Sequence, residues 1–322
     1  MKNPARRKFL AGSLAVSTPS FSFSQDNFPA KQIRVIIGFP PGSALDPDAR
    51  LITKEMALRF GQPVVIEHRP GARGTIGARL VASSQPDGHT LYYGNAISIH
   101  PIFNKNNSID AAVDFSAVSA STRVKYYVIA RSGLPVRTLK DLIDYGKAHP
   151  GELKHGAPSQ TFDLMMRMVT EGSGITTRSI PYRASPEMII ALLAGDIDIA
   201  AGPVQTYISH IKSGTLRGLF IADRKRSAIL PEVQTSSEFG LSGFEVGATN
   251  GFWAPAGTPR SIIQKLSIAI SGAVANPLIN EQILKGSGDE PLGTTPEMQL
   301  QLFQSDSKFW AMAAQKSNFN PD

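Results

Sequence analysis

The feature that most constrains this chain is an apolar strand that ends in a proline–glycine break and turns at once into a helix. Ile33-Arg34-Val35-Ile36-Ile37-Gly38-Phe39 is β-branched and apolar with one polar interruption, the composition of a strand covered on both faces. Pro40-Pro41-Gly42-Ser43 breaks it. Asp46-Pro47-Asp48 then opens a helix, with Asp46 suited to the N-cap, Pro47 to the first helical position and Asp48 to the positive end of the helix dipole. The helix runs through Leu51, Met56 and Leu58 to Phe60, and Gly61 stops it. A second strand follows at Pro63-Val64-Val65-Ile66-Glu67. The glycine-rich turn Pro70-Gly71-Ala72-Arg73-Gly74 leads into a helix through Ile76, Leu80 and Val81. Thr90-Leu91-Tyr92-Tyr93 is a third strand. Strand, helix, strand, helix, strand is the order of an open, mainly parallel α/β sheet.

The order restarts later in the chain. Strands are expected at Tyr126 to Ala130, Ser179 to Tyr182, Ile197 to Ala201 and Leu216 to Ala222. Helices are expected at Leu139 to Ala148, Phe162 to Gly172, Pro186 to Ala194 and Val204 to Ser213. From Pro259 onward the pattern is helical, with a last helix from Pro296 to Lys316. Two α/β units in 322 residues suit two lobes of ordinary domain size. Crossings between them fall near Ser121–Arg131 and Gly243–Ala254. The second lobe, residues 126–249, is then an insertion into the first, residues 25–125 with 250–322.

Residues 1–24 do not belong to the fold. Lys2, Arg6, Arg7 and Lys8 precede the apolar stretch Phe9 to Val16, which is too short to span a bilayer, and Ser22-Phe23-Ser24 offers small residues for a cut after Ser24. This is an export signal; Arg6-Arg7-Lys8-Phe9-Leu10 suits the twin-arginine route, and a general secretory signal holding two arginines is the alternative. The segment carries those four basic residues and no acidic one, so the net charge of +7 falls to +3 when it is removed. With no arginine-rich run or basic repeat in the remainder, nucleic-acid binding has little support.

The chain contains no cysteine, which excludes disulfides, thiol nucleophiles and thiolate metal sites. It has no Gly-x-Ser-x-Gly elbow, no phosphate-binding Gly-x4-Gly-Lys-Ser/Thr and no His-Glu-x-x-His. Ser209/Lys212 and Ser305/Lys308 match Ser-x-x-Lys but sit in amphipathic helices without a partnering Lys-Thr-Gly. The six histidines do not fall at metal-ligand spacing. No enzyme, metal or cofactor is expected. What the sequence does offer is the loop Phe39 to Asp46 at the carboxyl end of a parallel strand, where ligands of open α/β sheets bind. Amides at Gly42, Ser43 and Ala44, backed by the helix dipole, would favour a carboxylate. An ordinary strand-to-helix turn with Asp46 as cap is the plain alternative.

Phe39-Pro40-Pro41-Gly42-Ser43-Ala44-Leu45-Asp46-Pro47-Asp48-Ala49-Arg50 resembles the opening motif of the Bug family, the periplasmic substrate-binding proteins of tripartite tricarboxylate transporters. The likeness continues through Gly61 to Ala72, Ile76-Gly77-Ala78, Pro86 to Leu91, Pro181-Tyr182-Arg183, Leu193 to Asp198, Gly214 to Arg217 and Trp253 to Pro259. The resemblance implies a two-lobed clamp of the periplasmic-binding-protein type (type II-like) that closes on a small organic acid or amino-acid-like ligand. It also implies membrane permease subunits as partners and a monomer. A sensing role, in which the same closed clamp docks on a signalling receptor, is the alternative.

By that resemblance the walls of the site are Phe39, Gly42, Ser43, Ala44 and Asp46 from the first lobe. Ala157, Ser159, Gln160, Thr161 and Asp163, and then Gly202, Pro203 and Gln205, come from the second. Asn95 and Trp253 are weaker candidates, Trp253 also suiting hinge packing. The chain departs from the family pattern at Ser43, where a second glycine is usual, at Arg73, which replaces a glycine, and in the shorter loop Gly156 to Asp163. Asp163 stands where histidine is common; it either faces the ligand or caps the helix that follows.

Overall fold

The computed structural model describes residues 27–95, 102–103, 109–183, 185–241, 244–317 and 319. The export signal read at residues 1–24 lies outside them. β1 (Ile33–Ile37) runs parallel between β2 (Val64–His68) and β3 (Thr90–Asn95). Four of its five residues are buried, which explains the lack of polar alternation in its sequence. α1 (Asp46–Phe60) and α2 (Thr75–Ala82) make the crossovers. The end of α1 is as expected, with Gly61 in the left-handed conformation. Its start is not. Leu45 occupies the cap and Asp46 is already helical, with no side-chain cap. The Asp46 carboxylate turns back to accept the Gly42 amide, so it closes the loop before the helix instead of bonding the helix's own free donors.

Close backbone approach fixes the base of that loop. A Cβ on Gly38 would lie 2.6 Å from the backbone of Gly74. Gly38→Ala is therefore expected to lower stability by about 1–3 kcal/mol, because the clash is with backbone that has little freedom to yield. Urea unfolding measures this; an unchanged midpoint would show that the turn around Gly74 gives way freely.

The second half of the chain departs from the reading in several strands. β4 (Phe115–Arg131) is 17 residues long, and its first part, before Tyr126, pairs antiparallel with β9 (Gly247–Pro255). From Tyr126 onward it pairs with β7 (Ile199–Pro203) and β8 (Leu216–Ile221). β5 (Lys154–Ala157) lies parallel between β6 (Arg178–Pro181) and β7. The result is one mixed ten-stranded sheet in which two parallel three-strand cores are joined by antiparallel β4 and β9. β5 and β9 are absent from the sequence reading because Lys-His-Gly-Ala and Gly-Ala-Thr-Asn-Gly-Phe-Trp-Ala-Pro have the composition of loops. Burial decides otherwise: every residue of β9 is buried, and at Gly251 a Cβ would meet the Ser119 carbonyl at 2.9 Å. These glycines serve close strand packing.

Among the helices, α4 (Leu139–Ala148) begins with a capping box between Thr138 and Asp141, and α5 (Gln160–Gly172) is capped by Ser159. α6 (Ser185–Ala194) precedes β7. The single helix expected over Val204–Ser213 is broken into a turn, Val204–Thr206, and α7 (Ile208–Lys212). The fully buried Tyr207 at the break donates to the Ala201 carbonyl and holds the turn against β7. α8 (Arg260–Val274) packs on α1, and α9 (Pro277–Gln282) continues into a wider turn, Ile283–Ser287. β10 (Glu290–Pro291) then pairs with Thr122 and Arg123 of β4, and α10 (Pro296–Lys316) closes the chain. One apolar cluster fills the space between β1, α1 and α8, and another lies around β7, α6 and α7. A third runs from Tyr92 through Val124 and Tyr126 to Trp253 and Trp310, so the junction between the two halves is itself packed core.

Candidate functional site

β1 with β3 and β5 with β7 are each parallel, the two pairs run in opposite directions, and their carboxyl ends come level with the Thr122–Tyr126 part of β4, which sets where the candidate residues fall. The Phe39–Asp46 loop leaves β1 beside Asn95, the last residue of β3, which faces Asn250 of β9. Ala157 ends β5, and Gly202 and Pro203 end β7 next to it. Gln205 lies in the turn that follows.

The first loop is closed by its own hydrogen bonds. Ser43 N donates to the Pro40 carbonyl at 3.2 Å and Asp46 N to the Ser43 carbonyl at 3.0 Å. The Gly42 amide donates to the Asp46 carboxylate. Two of the three amides expected to face an anion are thus engaged within the loop. Ala44 remains exposed, and the Ser43 hydroxyl is buried without a partner among the described residues. His68 braces the loop from β2. Its Nδ1 lies 2.9 Å from the Phe39 carbonyl and, since a carbonyl only accepts, carries the proton; Nε2 lies 3.2 Å from Asp46 Oδ1.

In the second loop Ser159 is the helix cap, its hydroxyl accepting from Phe162 N. Gln160 and Thr161 are half-buried in the first turn of α5, and Gln160 Oε1 has no partner among the described residues. Asp163 is not a cap. Its Oδ1 accepts from the Ser179 hydroxyl and lies 3.0 Å from His155 Nε2, and its Oδ2 accepts from Arg167 Nε at 2.9 Å. Burial works against its charge, but the His155 and Ser179 hydrogen bonds and the Arg167 charge hold its carboxyl down at about 2. Both oxygens of the side chain thought either to cap a helix or to meet a ligand are bonded within the fold. Trp253 packs edge-on against Phe303 within the core.

The two halves meet through residues the sequence did not single out for this. Gln205 Nε2 donates to Asp289 Oδ1 at 2.8 Å. Asp289 is fully buried beside Asp48, which stands two residues beyond Asp46 on α1 and accepts from the Ser287 hydroxyl at 3.3 Å. Burial pushes the Asp48 carboxyl up to about 6 against those hydrogen bonds, and burial together with the Asp48 charge pushes Asp289 well above the ordinary range. The loop after β1 and the turn after β7 are therefore joined through α1, Asp289 and Gln205. Asp48 was legible as a helix-dipole partner. In Ser287-Gly288-Asp289 nothing local distinguishes a buried acid from a solvated turn. Among the described residues, no group of three or more histidines and acids is placed to hold a metal ion.

Residues 49–319 match the family described as Tripartite tricarboxylate transporter family receptor. A protein encoded in the tcbD–tcbE intergenic region of Pseudomonas sp. strain P51 is 31% identical over 96% of this chain and 94% of its own length. The structure is similar to that of the periplasmic binding protein BugD, with 28% identity and a TM-score of 0.80 over 92% of this chain and all of that one. It is similar to an R. palustris protein solved with adipate, at 26% identity and a TM-score of 0.82 over 92% of this chain and all of that one. MatC from Rhodopseudomonas palustris, with bound malate, is 28% identical, with a TM-score of 0.77 over 89% of this chain and 99% of that one.

Proposed function

Because this chain belongs to the tripartite tricarboxylate transporter receptor family, made up of periplasmic solute-binding proteins and not enzymes, we propose that it captures a small carboxylate-bearing molecule between two lobes. It then hands that molecule to the membrane permease subunits of a tripartite transporter. The observation that carries the reading is the hydrogen bond from Gln205, in the turn after β7, to Asp289, which lies beside Asp48 of α1. Facing loops joined across a hinge are what a clamp needs in order to close. The carboxylate rests on the Ser43 hydroxyl and the exposed Ala44 at the start of α1, where the helix dipole favours an anion. Gln160 and Gln205, each with a buried Oε1 that has no partner among the described residues, complete the wall from the other side. Malate and adipate, held by two of the similar proteins, are acids of this size.

The change of partner along β4 at Tyr126 supports a first lobe boundary there. β9 pairs with the first part of β4 from Gly247 onward, which supports counting residues 247–249 with the first lobe and the chain after them. Residues 1–24 direct the protein to the periplasm, where it acts as a monomer.

A ligand that binds the folded clamp stabilises it by mass action, by about 2.7 kcal/mol at a hundredfold excess over Kd. A thermal-shift screen with malate, adipate, other di- and tricarboxylates, amino acids and aromatic acids is expected to give at least one rise of about 5 °C. A panel in which no acid raises the melting temperature would overturn the assignment.

A further inference from the structure

We propose that Asp48 and Asp289 form a proton-binding site between the lobes, so that closing the clamp takes up a proton and opening it releases one. This rests on the clamp reading above and adds a second, unassigned ligand to it. Asp289 is 0% exposed and Asp48 1%. Asp289 Oδ1 is bonded by Gln205 of the other lobe, its Oδ2 is buried with no donor among the described residues, and the Asp48 carboxyl is its neighbour. Two ionised carboxylates in contact repel, and neither can donate to the other. One shared proton removes the repulsion and supplies the missing hydrogen bond.

The other groups around the pair do not replace that proton. Lys125 of β4 attracts Asp289, but its Nζ is paired with Asp223 Oδ2 at 3.2 Å. Tyr93 of β3 and Tyr126 and Tyr127 of β4 are phenols held neutral by burial. Ser287 beside the pair and Gln205 from the second lobe are uncharged, and Glu290 is exposed.

Closure and burial are the same event at this site. A Cβ on Gly288 would lie 2.9 Å from Val204 Cγ1 and 2.2 Å from Ile229 Cδ1, so the second lobe packs directly on the backbone next to Asp289. Opening withdraws Val204 and Gln205 and admits water. A solvated aspartate titrates at about 4, and the closed pair titrates higher, Asp48 at about 6 and Asp289 above the ordinary range. The folded, closed state has the raised value. Closure is therefore favoured below the open-state value and loses that advantage as pH rises through the closed-state values.

The test is small-angle X-ray scattering of the ligand-free protein at pH 5 and pH 8. The closed-to-open ratio of wild type is expected to be about tenfold lower at pH 8, seen as a larger radius of gyration. Asp289→Asn and Asp48→Asn should each remove the pH dependence, and either variant suffices if the other does not fold. A wild-type radius of gyration independent of pH, or variants that keep the wild-type dependence, would overturn the proposal. Failure of the clamp reading shows elsewhere, as a carboxylate panel that gives no thermal shift.

Discussion

A valine at position 42 is expected to lower ligand affinity by at least about a hundredfold in a protein that still folds. Gly42 has φ +79°, in the left-handed region where a β-branched residue is a steric outlier. A Cβ there would meet nothing within 4 Å. The conflict is therefore with the backbone and not with packing, and it costs on the order of 1–2 kcal/mol of stability. The chain relieves it by rotating out of the left-handed region. The Gly42 amide then leaves the Asp46 carboxylate, which His68 also braces, and the Ser43 hydroxyl and Ala44 move with the loop. Two lost hydrogen bonds to a charged ligand are worth about 3 kcal/mol together. Titration calorimetry with an acid found in the thermal screen measures the loss, and circular dichroism checks the fold. A folded Gly42→Val protein with undiminished affinity would remove this loop from the site.

The sequence reveals the parts of the fold whose local chemistry and tertiary environment agree. The end of α1 at Gly61, and α4 from Leu139 to Ala148 with its Thr138–Asp141 capping box, follow from capping and periodicity, because those residues bury one face and close those ends locally. β4 and β9 do not follow. Phe115 to Lys125 is rich in serine and alanine, and β9 holds two glycines and an asparagine; nothing in either stretch favours a strand until the other is beside it. Thr122 and Asn250 are buried because β4 and β9 pair there, an event 128 residues apart in sequence. Similarly, one helix is expected over Val204–Ser213, but Tyr207 breaks it by reaching back to β7, a tertiary preference that outweighs helix propensity.

For the candidate site, position was legible and partnership was not. Strand ends mark the edge of the sheet, so the loop after β1 could be named from order, whereas the turn after β7 was named by the family resemblance. Whether a polar atom there meets a ligand or a neighbour depends on residues distant in sequence. Gly42 illustrates this: its amide is expected from the sequence to face an anion, yet it is used by Asp46. Gln205 is the opposite case, since the partner it meets, Asp289, stands in a segment that reads as a solvated turn.

Asp163→Asn is expected to cost about 2 kcal/mol at pH 7, the free energy corresponding to a carboxyl held at about 2 against an ordinary 3.8. The sign follows from the direction of the shift. A carboxyl lowered in the folded state contributes stability above its unfolded value and loses it as pH falls through the folded one. The variant should thus be less stable than wild type from pH 5 upward, and the two should converge towards pH 2. The physical source is specific. His155 is 2% exposed, with Nδ1 on the Thr177 hydroxyl at 2.9 Å and Nε2 on Asp163, so a weaker acceptor at position 163 leaves a buried ring poorly matched. Arg167 is 41% exposed and turns to water at little cost. An asparagine that merely replaced a helix cap would leave stability unchanged, but Ser159 holds that place. The same geometry bears on selectivity. With both oxygens of Asp163 bonded inside the fold, neutralising it should leave the relative affinities of monocarboxylates, dicarboxylates and amino acids as they are in wild type. Urea unfolding across pH, set beside calorimetry on both proteins, separates the roles. A stability difference independent of pH would refute the charged network, and a switch in ligand preference would place Asp163 in the binding cleft.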